Sequence, residues 1–165
     1  MIVGARQMNQ LEAMIASLML AFMLASISTR AKADTWVTAT VASYHSDRST
    51  PHNELNYGLG FEHDVNWFKF KDSRFVGGFY KNSNWKQSTY VGLTYMPWTI
   101  GPAKVGAMFG VVTGYEEMKV MPTILPTVSF EGKTFGANIG LMPAWSDKGA
   151  GVIVGLQLKM KLDGR

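Results

Sequence analysis

The sequence predicts an all-β fold: an eight-stranded antiparallel transmembrane β-barrel that follows a cleaved signal peptide. Three observations predict it. Stretches of roughly ten residues with period-2 alternation recur along the chain, separated by turn-forming residues. One face of these stretches is large and apolar, whereas the other is mostly Gly, Asn, Thr and Gln. An apolar segment with the pattern of a secretion signal precedes the alternating region.

Residues 1–33 have the three parts of a signal peptide. Arg6 gives a positively charged start, residues 14–27 ("MIASLMLAFMLASI") are apolar, and "AKA" at 31–33 is the small-x-small pattern that signal peptidase recognises. An uncleaved membrane anchor is the alternative, but this apolar stretch is shorter than the roughly 20 residues of a membrane-spanning helix. We therefore expect the barrel to occupy residues 34–165.

The first four strands are predicted at 35–45 ("TWVTATVASYH"), 54–64 ("ELNYGLGFEHD"), 73–81 ("SRFVGGFYK") and 88–98 ("STYVGLTYMPW"). The second shows the alternation clearly, because its large residues face away from a set of small or polar ones: Asn56, Gly58, Gly60 and Glu62. Turn-forming residues separate all four stretches, as strand ends require.

The last four strands are predicted at 103–114 ("AKVGAMFGVVTG"), 121–130 ("MPTILPTVSF"), 133–142 ("KTFGANIGLM") and 150–162 ("AGVIVGLQLKMKL"). The seventh sets large residues against Gly136, Asn138 and Gly140. The eighth has one continuous apolar face: Val152, Val154, Leu156, Leu158, Met160 and Leu162.

A secreted β-sandwich is the alternative fold, because it also alternates. A sandwich places its bulky residues inside and polar residues outside, so its second face should be rich in Lys, Glu and Thr. The second face here carries few charges, and small residues suit the lumen of a narrow eight-stranded barrel. Large residues then face lipid, and the sheet must close because hydrocarbon pairs no backbone group.

Aromatic residues near the ends of the stretches support a membrane barrel, since such barrels carry aromatic girdles at both interfaces. The residues predicted to form the girdles are Trp36, Tyr44, Tyr95, Trp98, Tyr115 and Trp145. We therefore predict a location in the outer membrane of a Gram-negative bacterium.

The connections predict which residues meet. Both termini of such barrels are periplasmic and the outer loops are the longer ones. The outer loops are then 46–53, 82–87, 115–120 and 144–149, and the inner connections are 65–72, 99–102 and 131–132. His45 and the pair Asn82–Ser83 therefore fall on the same outer rim.

Composition excludes several kinds of function. The chain has no cysteine, so neither disulfides nor thiolate metal sites form. The net charge of +4 falls to +2 once the predicted signal peptide is removed, and no basic stripe is present, so we expect no nucleic-acid partner. Metal-ligand spacings and nucleotide-binding motifs are absent, which predicts no metal and no cofactor.

A histidine and a serine on one rim suggest acyl transfer. Histidine can serve as a general base, and a serine hydroxyl can serve as nucleophile or as hydrogen-bond donor to an oxyanion. The alternative is that His45 and Ser83 simply mark where strands leave the membrane. His52 and His63 are expected to be rim or loop residues.

Three segments resemble the lipid A palmitoyltransferases, the PagP-type barrels. They are "FYKNSNWKQSTYVGLTYMPW" (79–98), "VMPTILPTVSFEGKTFGANIGLMPAW" (120–145) and "SYHS" (43–46). The similarity covers about two-thirds of residues 34–165 and is carried mostly by spacing. The pattern is also similar to uncharacterised barrel proteins from bacterial and phage genomes.

The resemblance implies specific roles. The family's catalytic histidine falls on His45 and its serine on Ser83, while Asn82 stands where the family has an aspartate. An amide can donate a hydrogen bond to an oxyanion, and Asp47 would supply the missing carboxylate beside His45. The expected partners are membrane lipids, with phospholipid as acyl donor and lipid A as acceptor, and the barrel is expected to be a monomer.

Proline placement gives a further expectation, since proline donates no hydrogen bond to a ladder. Incomplete pairing is expected near Pro122, Pro126 and Pro143, and in the palmitoyltransferases similar prolines mark a lateral opening for lipid chains. The alternative is that these prolines lie at turns or strand ends.

Two function classes follow from the sequence: an acyltransferase, and a non-enzymatic surface or structural barrel whose outer loops mediate interaction, for example phage or ligand adsorption. A pore is disfavoured because eight-stranded barrels are narrow.

Overall fold

The computed structural model describes residues 33–65, 72–115, 118–146 and 149–162. The predicted signal peptide lies outside the described residues except for Ala33. The strands are β1 (Thr35–His45), β2 (Gly58–Asp64), β3 (Ser73–Lys81), β4 (Gln87–Ile100), β5 (Ala103–Thr113), β6 (Val120–Glu131), β7 (Phe135–Ser146) and β8 (Gly149–Leu162). Within the described ranges, no helix is long and apolar enough to cross a membrane.

The eight strands form one closed antiparallel barrel. Each strand pairs with its sequence neighbours, and β8 pairs with β1 to close the sheet. The predicted fold class is therefore confirmed. The second predicted strand begins too early, because residues 54–57 precede β2 and belong to the β1–β2 loop.

The outer wall is apolar, as predicted. Leu156, Leu158 and Phe135 are 37%, 49% and 69% exposed, so none of them is tucked into a central core. Exposed apolar side chains occur around the wall, including Leu59, Phe79, Leu93, Phe109 and Ile124. A closed barrel with a bulky apolar exterior and a polar interior is the architecture of an outer-membrane protein.

Among the predicted girdle aromatics whose side chains the structure describes, which excludes Trp145, two do not lie on the outer wall. Trp36 is buried, with its ring beside the ammonium group of Lys159 at 5.0 Å. Tyr115 lines the lumen, and its hydroxyl hydrogen-bonds that of Tyr80 at 3.1 Å. Tyr44 and Trp98 are exposed as expected. Trp36 follows the alternation of β1, on the same inward face as Thr38, and its girdle assignment failed because a lumen that holds buried charges accommodates an aromatic ring over a cation.

Buried charges fill the inner half of the lumen. Lys159 donates to Glu62 and Glu131 at 3.0 and 2.7 Å, and Arg74 donates to the same two carboxylates. Arg74 also contacts Asp64 at 2.6 Å. Every cation here faces carboxylates, as buried charges require. The cluster therefore occupies the lumen at this level with paired charges.

Glycines make room for a large side chain in the lumen, not only for empty space. A Cβ added at Gly60 would lie 2.5 Å from the Tyr90 hydroxyl, and one added at Gly78 would lie 2.8 Å from it. The Tyr90 hydroxyl accepts a hydrogen bond from Gln157 Nε2 at 3.0 Å on the far side of the barrel. Tyr90 thus spans the lumen, and the glycines at positions 60 and 78 leave the space that its side chain occupies.

The barrel wall is incompletely paired between β6 and β7. Their ladder covers only Thr127–Glu131 and Gly136–Gly140, although β6 begins at Val120 and β7 continues to Ser146. Pro122, Pro126 and Pro143 lie within the two strand segments that do not pair with each other. Incomplete pairing near these prolines is therefore confirmed, and all three lie within strands and not in turns.

Candidate functional site

The structure brings His45 and Ser83 together. His45 is the last residue of β1 and Ser83 follows β3, and His45 Nε2 lies 2.9 Å from Ser83 Oγ. His45 is only 3% exposed, so the contact is shielded from solvent. This distance is that of a hydrogen bond, and it is the geometry that a base and a nucleophile need.

A β-bulge in β1 turns His45 toward the lumen. Opposite β8, Thr40 pairs with Gln157 and Ala42 with Leu156, so Val41 is an extra residue without a counterpart. Before the bulge even-numbered residues face inward, as Thr38 does. After it, Tyr44 is exposed and His45 is buried. Bulges re-aim side chains in this way, and strict alternation would have placed His45 outside.

The β1–β2 loop fixes the backbone of the serine. Asn53 donates its backbone N–H to the Ser83 carbonyl at 2.9 Å and its side-chain amide to the Asn82 carbonyl at 3.0 Å. The Tyr57 backbone carbonyl accepts from the Lys81 backbone amide at 2.9 Å. The loop therefore continues the sheet beside residues 81–83, which holds the serine against the end of β1.

The Asn82 side chain uses all of its hydrogen-bonding groups to hold the β3–β4 loop and its neighbours in place. Its amide nitrogen donates to Ser88 Oγ and the Gly114 carbonyl, at 3.0 and 2.9 Å. Its side-chain oxygen accepts from the amides of Asn84 and Lys86, each at 2.9 Å. Both N–H groups and both oxygen lone pairs are in use, so the expected donation to an oxyanion is not available in this arrangement. Gly114 accepts the contact from a left-handed conformation with φ of 89°.

Glu54, which the sequence did not point to, places a carboxylate beside His45. Asp47 Oδ1 accepts from the Ser49 amide at 2.8 Å within the loop. Glu54 Oε1 accepts from the His45 amide at 3.2 Å and lies 3.8 Å from His45 Nδ1. Reasoning from sequence missed Glu54 because it was assigned to the second strand. Its only signal was a carboxylate nine residues after the histidine.

Glu54 is held as a carboxylate. Hydrogen bonds from the His45 amide and the Arg48 guanidinium keep the pKa of Glu54 below its usual value. The Arg48 contact is 2.7 Å long, and the Arg48 guanidinium also lies 4.7 Å from the centre of the Tyr44 ring. A negative charge therefore sits beside the imidazole at neutral pH.

The two remaining histidines have separate roles. The His52 ring stacks on the His45 ring, with centroids 4.3 Å apart and an angle of 13° between planes. His63 Nδ1 lies 2.7 Å from Thr35 Oγ1 near the other end of the barrel. Among the described residues, no three His, Cys, Asp or Glu side chains form a group that could hold a metal ion.

Ser83 lines a cavity in the outer half of the lumen. The cavity has a volume of about 190 Å³, and most of its wall is apolar. Its apolar lining includes Val76, Met108, Val112, Leu125, Met142 and Ile153, and its polar floor includes Glu62, Asn138 and Gln157. The serine hydroxyl therefore lies where an apolar chain in the lumen would meet it.

The cavity extends to the incompletely paired wall. Leu125 and Thr127 of β6 and Gly140 and Met142 of β7 all line it. The ladder between these two strands ends at the pair Thr127–Gly140. The cavity therefore borders the segment of wall where the two strands separate toward the outer rim.

Comparisons with known proteins give structural matches only. No family model matches the chain, and no curated protein matches it. One similar structure is the Yersinia pestis outer membrane protein Ail in a phospholipid bilayer nanodisc, with 11% identity and a TM-score of 0.46 over 79% of this chain and 100% of that chain. Another is Ail, the attachment invasion locus protein of Yersinia pestis, in complex with the heparin analogue sucrose octasulfate. It has 10% identity and a TM-score of 0.43 over 79% of this chain and 97% of that chain. The resemblance to the palmitoyltransferases stays a prediction.

Proposed function

We propose that this outer-membrane barrel transfers an acyl chain from a phospholipid to a lipid A-type acceptor in the outer leaflet. The observation that carries the proposal is the 2.9 Å contact between His45 Nε2 and Ser83 Oγ at the edge of an apolar cavity. The serine is the nucleophile and the histidine is the general base.

Lipid access is proposed between β6 and β7. Their outer segments do not pair with each other, and both strands line the cavity that Ser83 borders. A phospholipid acyl chain would enter the lumen there from the hydrocarbon, which leaves its ester near the rim. The polar floor at Glu62 and Asn138 would stop the methyl end of the chain.

The chemistry would run in two half-reactions. In the first, the Ser83 hydroxyl gives its proton to His45 Nε2 as Oγ adds to the phospholipid ester carbonyl. The ester C–O bond then breaks, and the leaving alcohol takes that proton, which leaves an acyl-serine and a lysophospholipid. In the second, the acceptor hydroxyl gives its proton to Nε2 and its oxygen adds to the acyl-serine carbonyl. Oγ leaves and recovers the proton, so no redox partner is needed.

Mass spectrometry of lipid A tests the proposal. Expression of the full chain in a Gram-negative host is expected to add one acyl chain to lipid A. His45→Ala and Ser83→Ala should lower the acylated fraction by about 10²-fold, the usual share of a general base. Full acylation by the His45→Ala variant would refute the assigned roles. Thr50→Ala, in the exposed part of the β1–β2 loop, is the matched control.

A second candidate function is interaction without catalysis, in which the outer loops bind a ligand or a phage. It is favoured by Trp85, which lies in the β3–β4 loop, is 53% exposed and has a φ of 56°. An exposed indole in a defined conformation is typical of a recognition residue. An unchanged lipid A profile together with altered phage or ligand adsorption, lost in Trp85→Ala, would support this function over the first.

A further inference from the structure

The unassigned group at the site is the second ring nitrogen of His45. Nε2 faces Ser83, whereas the buried Nδ1 has no hydrogen-bond partner among the described residues. A neutral imidazole carries its proton on one nitrogen only. For Nε2 to accept the serine proton, the ring proton must be on Nδ1, and a proton there needs an acceptor.

Glu54 Oε1 is the carboxylate oxygen placed to be that acceptor. It lies 3.8 Å from Nδ1, which is an ion-pair distance and slightly beyond a hydrogen bond. Contacts of this kind are often long in the absence of substrate and shorten in the reactive complex. The same oxygen already accepts from the His45 backbone amide at 3.2 Å, so the Glu54 side chain is held against the end of β1.

Backbone hydrogen bonds hold the segment around Glu54 against β1, and this fixes where the Glu54 side chain begins. The Glu54 carbonyl accepts from the Ser43 amide at 2.9 Å, and the Asn56 amide donates to the Val41 carbonyl at 3.1 Å. Arg48 holds the carboxylate from the solvent side at 2.7 Å. The other charged or titratable neighbour described at the ring is His52, which stacks on its face.

We propose that Glu54 is the positioning residue of the site and holds His45 with its proton on Nδ1, so that Nε2 is free to accept from Ser83. The inference rests on the proposed acyl transfer and deepens it. It gives Glu54 the orienting role that was predicted for Asp47. Glu54 acts through the histidine and touches no reacting atom.

Nitrogen NMR of the histidine rings tests the positioning without any lipid activity. The full barrel, labelled with ¹⁵N-histidine in detergent micelles at a pH where the rings are neutral, should show His45 as the Nδ1–H tautomer. His45→Gln assigns the signal among the three histidines. In Glu54→Gln and Glu54→Leu we expect the Nε2–H tautomer to grow, because the acceptor for the Nδ1 proton is weakened or lost.

Two further variants separate the alternatives. Asp72→Asn removes one carboxylate near the inner end of the barrel, where Asp72 contacts Lys104 at 3.4 Å, and should leave the tautomer unchanged. Asp47→Asn should also leave it unchanged. A tautomer shift in Asp47→Asn without one in either Glu54 variant would overturn the proposal. Glu54→Gln preserves the side-chain shape, so it guards against misfolding of Glu54→Leu.

Lipid A acylation then separates this proposal from the proposed function. Acylation should fall by about 10²-fold in Glu54→Gln, in parallel with the tautomer change. A tautomer change in a barrel that acylates no lipid would support the Glu54–His45 pairing and count against acyl transfer alone. Full acylation with an unchanged tautomer in both Glu54 variants would refute the positioning role while leaving acyl transfer intact.

Discussion

Asn82 shows how a residue next to the reactive serine is used by the loop and not by the reaction. Its amide donates to both Ser88 Oγ and the Gly114 carbonyl, and its oxygen accepts from the backbone amides of Asn84 and Lys86 in the turn. The side chain is fully buried. An aspartate of the same shape would keep the turn but lose both donations.

Asn82→Asp therefore tests whether the amide is structural. We expect the variant to lose about 1–3 kcal/mol of unfolding free energy, because the Gly114 carbonyl is left facing a carboxylate. Urea unfolding of the barrel in micelles measures this loss, with Asn84→Asp at an exposed loop position as control. A rise in acylation without loss of stability would instead show that an anion at position 82 serves the reaction.

Gly60 and Gly155 both face the lumen, but only one of them is tightly surrounded. An added Cβ at Gly60 would lie 2.5 Å from the Tyr90 hydroxyl and 2.6 Å from the Gly77 carbonyl, whereas one at Gly155 meets nothing within 4 Å. Gly60→Ala should therefore cost about 1–3 kcal/mol by overpacking, and Gly155→Ala should be close to neutral. Thermal unfolding of the two variants compares them, and equal losses would contradict the proposed Tyr90 bridge.

Val41 is the extra residue that sets the face of β1 on which His45 lies. Its removal would take away the bulge but leave Ala42–His45 opposite the same partners in β8, so Tyr44 stays outward and His45 inward. We therefore expect a variant lacking Val41 to fold into a barrel and to retain acylation, as Val41→Ala should. Circular dichroism verifies the barrel, and loss of acylation in a folded deletion variant would show that the bulge does more than set the face on which His45 lies.

Alternation predicts the strands because lipid and lumen impose opposite demands on successive residues. Leu156 and Leu158 were correctly placed outside for this reason. The meeting of His45 with Ser83 also followed from counting strand ends. Glu54 did not, because a loop of twelve residues folds back by backbone hydrogen bonds that no periodicity encodes. The bulge at Val41 was equally invisible, since one extra residue does not disturb the apolar pattern enough to locate it.

At the scale of the whole molecule, the barrel divides into an outer half that contains a cavity and an inner half filled by charge. The inner cluster is built from side chains of four strands: Glu62, Arg74, Glu131 and Lys159. It ties distant parts of the wall together and supplies the polar floor of the cavity. Sequence predicted a small polar lumen but not this cluster, because its members lie up to 97 residues apart.

Lys159 is the central cation of that cluster, and its removal should destabilise the entire barrel. Its ammonium group donates to Glu62, Glu131 and Ser129 and is almost completely buried. Lys159→Met would leave Glu62 with Arg74 and the Asn138 amide, and Glu131 with Arg74 and the partly exposed Lys104, and breaking a buried ion pair costs about 3–5 kcal/mol.

Lys161→Met is the matched control on the same strand. Lys161 pairs with Asp34 at 2.6 Å but both side chains are partly exposed, at 27% and 41%. An exposed pair contributes about 0–1 kcal/mol, so this variant should unfold close to the wild-type urea concentration. Urea titrations in phospholipid vesicles give both free energies. Similar losses in the two variants would show that the inner cluster contributes no more than a surface ion pair, and that the floor of the cavity is not what holds the strands together.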